Sequence, residues 1–357
     1  MKKIKDSARD LLLYVRVNRP RNKWMQNNTK RKIANTPNLP LLTGAEVNEL
    51  VSRWGKYGKS EEYRLYKKHI QDGCPLSSYV PWRYYLDNVD PYFCKSIEAR
   101  ALDNKNYYDL YFHGFNQPKT IARYMNGEYL DKDYYIITED HYVQLCQEAE
   151  KVIIKPAMMS NGGHGIIIWT KGMPKEKLVE SVRGKESVIV QEFIKQHSEL
   201  QRIHKDSINT LRIITLFFNS EVHILTAYLR MGRDGAFVDN SCSGGLFCGI
   251  KENGYLKAVG FDDVGLEYTC HPQGIVFSEF LVPNYGKCVE LVKRAAPRFA
   301  NVAKIVPWDI AIGEDGEPII IETNFGWPDI VDDQIASGPL FGKETLLKEI
   351  MTKINPK

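Results

Sequence analysis

Trp308-Asp309-Ile310-Ala311-Ile312-Gly313-Glu314-Asp315-Gly316-Glu317-Pro318-Ile319-Ile320-Ile321-Glu322-Thr323-Asn324 reads as a β-hairpin. Two apolar runs flank Asp315-Gly316, a pair that favours a tight two-residue turn. With the turn there, Asp309 faces Glu322 across the strand pair, and Asn324, two residues on, points to the same side. Trp308, Ile310, Ile312, Ile319 and Ile321 then fill the opposite side. Carboxylates about 5 Å apart at Cβ repel unless positive charge lies between them. An all-oxygen set of Asp309, Glu322 and Asn324 suits a hard divalent cation, Mg²⁺ first. The competing reading is a solvated acidic hairpin edge. The isoleucines around the acids argue against it, although a one-residue slip in register would undo the geometry.

The chain that carries this hairpin has 357 residues, 43% of them hydrophobic and 26% charged. That is the composition of a soluble globular protein with room for two or three lobes. No run of 18 apolar residues occurs, so no membrane span is expected. The N-terminus has only a short apolar patch, Leu11–Val15, and no small-residue cleavage site of the secretory kind. The seven cysteines are scattered without a CxxC pair, which points to reduced thiols in the cytoplasm. Cys242, Cys248 and Cys270-His271 match no common zinc spacing. Charge is uneven: residues 1–32 hold eleven Lys and Arg against Asp6 and Asp10, in a chain whose total is only +4. Such an arm suits a membrane surface or an anionic polymer, and it also reads as a solvated terminus.

Along the chain, Thr43-Gly44-Ala45-Glu46 is a capping box opening a helix. Helical patterns continue over Val47–Trp54 and Glu61–Ile70, so residues 1–100 form a basic, helical N-terminal region. Beyond it, strand-like runs appear at Tyr134–Thr138, Val152–Lys155, Gly165–Thr170, Ser187–Phe193, Leu211–Phe218, Val222–Leu229, Ile305–Ile312 and Ile319–Thr323. Helical stretches lie at Glu139–Ala149, Pro174–Val182 and Tyr285–Ala300. Hairpins outnumber strand–helix alternations, which argues for α+β and against a doubly wound parallel sheet.

A phosphate signal follows the second of those runs. Val152-Ile153-Ile154-Lys155-Pro156 is a short buried strand ending in a lysine, and Ser160-Asn161-Gly162-Gly163-His164-Gly165 leads into the next. Glycines let a backbone approach an anion, and lysine supplies a point charge. No Walker A motif or dinucleotide GxGxxG is present, and the loop alone reads equally as a plain flexible hairpin. Val188-Ile189-Val190-Gln191-Glu192-Phe193-Ile194 can wall an adenine ring and offer it backbone groups, or serve as a simple core strand. Arg212, within Asn209-Thr210-Leu211-Arg212-Ile213-Ile214-Thr215, needs an anionic partner on a buried strand. That partner is either a ligand or a structural carboxylate.

In this order — Lys155, glycine loop, Gln191-Glu192-Phe193-Ile194, Arg212, Asp309, Glu322-x-Asn324 — the chain resembles the ATP-grasp superfamily. More closely it resembles the sugar-transfer-associated ATP-grasp family, found with capsule and surface-polysaccharide genes. The phrases around Arg212 and Ile321-Glu322-Thr323-Asn324 carry the finer resemblance, which covers about Asp103 to Gly342. It implies an ATP-grasp fold, two α+β subdomains gripping ATP between antiparallel sheets. Residues 101–190 would form the N-terminal lid subdomain and 191–357 the C-terminal subdomain with the metal site. Asp103-Asn104-Lys105, with Gly114 and Pro118, resembles the first nucleotide-binding lysine segment, though relatives often have Asp and Lys adjacent.

The resemblance implies that Lys105 and Lys155 touch ATP phosphates and that Ser160, Gly162, Gly163 and Gly165 belong to a lid over them. It implies that Gln191, Glu192, Phe193 and Ile194 hold adenine, that Glu199 takes the ribose hydroxyls, and that Asn209 belongs to the nucleotide-binding set. Arg212 would steady the γ-phosphate, and Asp309, Glu322 and Asn324 would bind Mg²⁺. Arg230 and the segment Asp239–Gly245 would border the acceptor pocket. The chemistry implied is amide formation from a carboxylate and an amine through an acylphosphate. A phosphotransferase on the same nucleotide site, and a non-catalytic module binding an anionic polymer through the basic arm, are the alternatives.

Overall fold

The computed structural model describes residues 19–70, 73–94, 96–158, 165–233, 244–325, 329–342 and 344–354. The N-terminal part is helical, with α1 (Arg19–Asn35), α2 (Gly44–Trp54) and α3 (Tyr63–His69) followed by short turns of helix between Leu76 and Tyr111. The capping box forms: the Thr43 side chain accepts from Glu46 N while Glu46 Oε2 accepts from Thr43 N at 2.7 Å.

Six strands make one antiparallel sheet: β1 (Thr120–Met125), β2 (Glu128–Asp131), β3 (Ile136–Ile137), β4 (Lys151–Pro156), β5 (Ile167–Thr170) and β6 (Ser187–Glu192), in the order β3-β2-β1-β6-β4-β5. Helices α4 (Glu139–Glu148) and α5 (Glu176–Val182) cover it. Tyr142, Cys146, Leu178 and Val182 share a closed core with Val152, Ile154, Val188 and Val190. After α6 (Ser198–Ile203), seven more strands make a second antiparallel sheet. They are β7 (Thr210–Phe218), β8 (Glu221–Met231), β9 (Leu246–Ile250), β10 (Leu256–Asp262), β11 (Glu267–Tyr268), β12 (Ile305–Ile312) and β13 (Pro318–Thr323), in the order β11-β10-β9-β8-β7-β12-β13. Helix α7 (Tyr285–Ala295) precedes β12, and α8 (Ile330–Ser337) and α9 (Glu344–Ile354) close the chain.

The larger sheet has a core in common with the N-terminal helices, in which Met25, Leu50, Tyr66 and Tyr85 join Leu211, Leu229, Trp308 and Ile320. Docking of α1 changes the reading of the basic arm as a solvated terminus. Asn22, Met25, Thr29 and Lys32 recur on one helical face and turn inward. Buried Lys32 pairs with Asp332 at 2.9 Å and donates to Asp263 O at 2.6 Å, while Arg31 pairs with Asp263 at 2.7 Å. Part of the arm's charge is therefore neutralised within the protein.

The decisive hairpin forms with one correction. Asp309 faces Glu322, but Ile310, Ala311 and Ile312 face Ile320, Ile319 and Pro318. The turn has three residues, not two: Gly313 N donates to Glu317 O across Glu314–Gly316, with Gly316 at φ 79. Ile321 is the extra residue of a bulge that restores the Asp309–Glu322 register. Consequently Ile320, fully buried, stands on the Trp308 face, and Ile319 moves to the Asp309 face. Ile320→Ala should therefore cost about 2–5 kcal/mol in urea unfolding and Ile319→Ala about 1 kcal/mol. The opposite ranking would restore the unbulged two-residue turn.

Candidate active site

Directly paired residues of an antiparallel sheet share a face. The pairs Thr210↔Arg230, Arg212↔Tyr228, Asp309↔Arg212 and Asp309↔Glu322 therefore place one polar stripe across β8, β7, β12 and β13. At its centre Asp309 is 1% exposed. Arg212 Nη1 lies 2.8 Å from Asp309 Oδ1, an ion pair without hydrogen-bond alignment. Arg230 Nη2 lies 3.1 Å from Oδ2, and Asn324 Nδ2 donates to Oδ2 at 3.3 Å. Thr210 Oγ1 fixes Arg230 by accepting from Nε and Nη2 at 3.0 and 2.7 Å.

Lys105 comes from the other side of the chain. It opens a 3₁₀ turn, Lys105–Tyr107, capped by Asn104, which accepts from Asn106 N. Its Nζ lies 2.9 Å from Glu322 Oε2. Four further hydrogen bonds hold this segment to its neighbours. Lys105 N donates to Ala157 O at 2.9 Å, just past β4. Asp103 Oδ1 accepts from Phe325 N at 3.0 Å. Tyr108 Oη accepts from Thr323 N and donates to Thr323 O, each at 3.2 Å. Asn104, which separates Asp103 from Lys105, thus acts as a helix cap while both neighbours reach β13 and its end. Tyr108 was not singled out from the sequence. Its spacing of three from Lys105, on one helical face, was the available signal.

The electrostatics follow from burial. Burial would raise the Glu322 carboxyl, but Lys105, Lys155 and Arg230 outweigh it and hold it at about 2. Burial opposes the Lys105 ammonium, yet Glu322 raises it above the usual lysine range. Lys155 lacks such a close partner: burial first, then the charge of Lys105, push it down to about 8. Asp333, on α8, is raised well above the usual carboxylate range by burial, despite the opposing charge of Arg212. Lys105, Lys155, Arg212 and Arg230 thus face Asp309, Glu322 and Asp103 with positive charge in excess. Buried excess charge of this sign is a receptor for an anion.

Gln191, Glu192, Phe193 and Ile194 form the end of β6 and the segment after it. The N–H groups of Glu192 and Phe193 donate to Lys119 O and Lys151 O, leaving Ile194 as the next backbone donor. The Lys151 ammonium sits 3.5 Å from the Phe193 ring centroid. Glu199, at the start of α6, pairs with Arg202 at 2.6 Å on the surface. Asn209 is fully buried: its amide donates to Gln196 Oε1, Leu200 O and His204 O and accepts from Gly232 N. Its side chain braces the loop before β7. Gly165 has φ 79 and is described. Ser160, Gly162, Gly163 and Asp239–Ser243, which includes Cys242, lie outside the described residues. Cys248 Sγ is 3.4 Å from Lys257 O, and the His271 ring contacts Gly232 O at 2.8 Å.

The model of the sugar-transfer-associated ATP-grasp family matches residues 89–350. The chain belongs to that family. Its two antiparallel sheets with flanking helices are the ATP-grasp fold. No curated protein sequence matches. Among solved structures the chain is similar to D-alanyl-alanine synthetase A from Vibrio cholerae O1 biovar eltor, at 14% identity over 71% of this chain and 64% of that one, TM-score 0.42. It is also similar to the D-cycloserine synthetase DcsG, at 13% identity over 72% and 70%, TM-score 0.44. A third is D-alanine–D-alanine ligase from Bacillus anthracis, at 14% over 70% and 66%, TM-score 0.40. The chain spans less than two thirds of the Vibrio protein's length.

Among the described residues no three His, Cys, Asp or Glu side chains group as a metal site. The candidate set is two carboxylates and an amide, Asp309, Glu322 and Asn324. Its donor chemistry is hard oxygen and fits Mg²⁺. Each carboxylate also has a cation in contact, so a metal would share Glu322 with Lys105.

Asp309→Asn should remove about 3 kcal/mol of stability in denaturant titrations, because it takes the shared carboxylate away from two buried guanidinium groups. Adding Arg212→Met should restore part of that loss. A double variant less stable than the single would show that Asp309 is not what Arg212 depends on.

Proposed function

We propose that this protein is an ATP- and Mg²⁺-dependent ligase that joins a carboxylate to an amine through an acylphosphate. The observation that carries this reading is the convergence of Lys105, Lys155, Arg212 and Arg230 on Asp309 and Glu322, cations in excess, in a chain of the ATP-grasp family. In this reading a substrate carboxylate oxygen attacks the γ-phosphorus of ATP, the bond to ADP breaks, and an acylphosphate forms. An amine then attacks the acyl carbon, phosphate leaves and the amine loses a proton. Lys105 and Lys155 hold the phosphates. Arg212 and Arg230 lie where charge grows on the transferring group, and they act by position and charge without forming a bond. Bound at Asp309, Glu322 and Asn324, Mg²⁺ would supply neutralisation of phosphate charge.

No covalent nucleophile is required. The thiols of Cys146, Cys248 and Cys288 are pushed up to about 12 by burial, which keeps them protonated at neutral pH. All six described cysteines are free thiols, which supports a reducing, cytoplasmic setting. Among the described residues no helix is long and apolar enough to cross a membrane. The family's description supports a sugar acid or an amino sugar as one reactant, hence a role in surface-polysaccharide synthesis. A phosphotransferase would use the same phosphate site and differ only in its product.

Calorimetry should show Mg²⁺-dependent ATP binding, weakened at least tenfold in Glu322→Gln. Incubation with candidate acids and amines should release ADP and phosphate and yield an amide. A phosphorylated acceptor without free phosphate would replace the ligase by a kinase.

The Lys155 ammonium adds a pH signature. Phosphate oxygens raise a lysine pKa, so binding takes up a proton where the free protein has lost one. At pH 8–9, ATP binding should be accompanied by proton uptake, seen as buffer-dependent heat. The uptake should fade towards pH 6.5 and disappear in Lys155→Met, and affinity should fall as pH rises through about 8. Heat independent of buffer at pH 8.5 would remove Lys155 from the phosphate site.

A further inference from the structure

We propose that Arg123 is a positioning residue for the nucleotide site: it sets Lys105 in place by gripping the helical turn that carries it. The inference rests on the reading of Lys105 as a phosphate ligand.

Arg123 stands in the middle of β1 and is completely buried. A guanidinium that leaves water must satisfy its donors inside the protein. Here Nε donates to Asn106 O at 3.0 Å, Nη1 to Asp131 O at 3.0 Å and to Lys132 O at 2.7 Å, and Nη2 to Asp109 Oδ2 at 2.6 Å. Its plane lies 4.0 Å from the Tyr134 ring centroid. Tyr134 repeats the grip: its hydroxyl lies 2.9 Å from Asn106 O and donates to Asp109 Oδ1. A β1 side chain and one from the loop between β2 and β3 thus hold the Asn106 carbonyl and the Asp109 carboxylate one turn further on.

The opposite side of the same turn faces the larger sheet, through Lys105–Glu322 and Tyr108–Thr323. Lys105 therefore sits on a connector clamped from both sheets. Glu322 alone pulls the ammonium towards itself. The Arg123 fork opposes that pull by fixing the backbone behind it, so the ammonium stays within reach of a phosphate. Lysine in place of Arg123 cannot make the fork, because its ammonium lacks the planar donors.

The test compares ligands with and without phosphates. In Arg123→Lys and Asp109→Asn, the affinity for ATP should fall at least tenfold while the affinity for adenosine stays within twofold of wild type. Asp109 is partly exposed, so its variant keeps the buried guanidinium and its other three acceptors. It carries the test if Arg123→Lys does not fold. Equal losses for ATP and adenosine would make Arg123 merely structural and overturn the proposal, as would unchanged ATP affinity in both variants. If wild-type protein bound adenosine and ATP equally, the phosphate-site reading itself would fail, which is a different result from a failure of the Arg123 grip.

Discussion

The Lys105–Glu322 ion pair is the contact on which the arrangement of this site depends. Glu322 belongs to the larger sheet, whereas Lys105 belongs to a turn bolted to the smaller one. Their contact at 2.9 Å therefore joins two sheets with largely separate hydrophobic cores. Both partners are buried, which would make the pair unfavourable if it stood alone. It does not stand alone, because Tyr108, Asp103 and Lys155 surround it. The Tyr108 hydroxyl and the Asp103 carboxylate accept from Thr323 N and Phe325 N and so fix the backbone on each side. The fold thus holds a lysine and a carboxylate together at the seam between the two sheets.

Most of this was legible in sequence where chemistry and periodicity coincide. β12 was read with its observed bounds, Ile305–Ile312, because a long apolar run with one acid in it has few alternatives. Asp309 and Glu322 were paired correctly, although the route was wrong: a longer turn and a bulge at Ile321 compensate for each other. Two offsetting irregularities of this kind leave no trace in composition. β1 was missed because Arg123 interrupts its pattern. A buried arginine looks like a surface residue until its acceptors, which are mostly backbone carbonyls, are known. β9–β11 were missed because they are short, and Lys257 and Asp262 break the run in β10. The end of the arm was misjudged for a similar reason, since Lys32 finds Asp332 some 300 residues away; residues 1–18 lie outside the described residues. Long-range ion pairs have no local signature.

The N-terminal helices lie outside the candidate site but not outside its support. Gln334, on α8, accepts from Val80 N at 2.8 Å and donates to Tyr66 Oη at 2.9 Å, and Lys32 pairs with Asp332 on the same helix. Asp333, also on α8, lies close enough to Arg212 to feel its charge. One face of α8 is therefore held by α1 and α3 while another borders the arginines. Displacement of α1 would expose Asp332 and remove its compensation. The basic character of α1 thus serves, in part, to seat the helix behind the polar stripe of Arg212, Arg230 and Asp309.

The four cations of the site are not equivalent, and the difference bears on how it meets a phosphate. Arg212 and Arg230 share Asp309 and remain charged at any physiological pH. Lys105 has Glu322. Lys155 is the lysine whose proton is most loosely held: burial and the charge of Lys105 lower its pKa more than Glu322 raises it, so on the proposed reading its ionisation would respond to a bound phosphate. An arginine at that position could not yield in this way, and its repulsion from Lys105 would fall on the fold. A site that must be stable while empty and strongly cationic when filled is thus better built with one lysine of lowered pKa beside fixed arginines. On the proposed reading, the affinity gained on binding phosphate includes the recovered charge of Lys155.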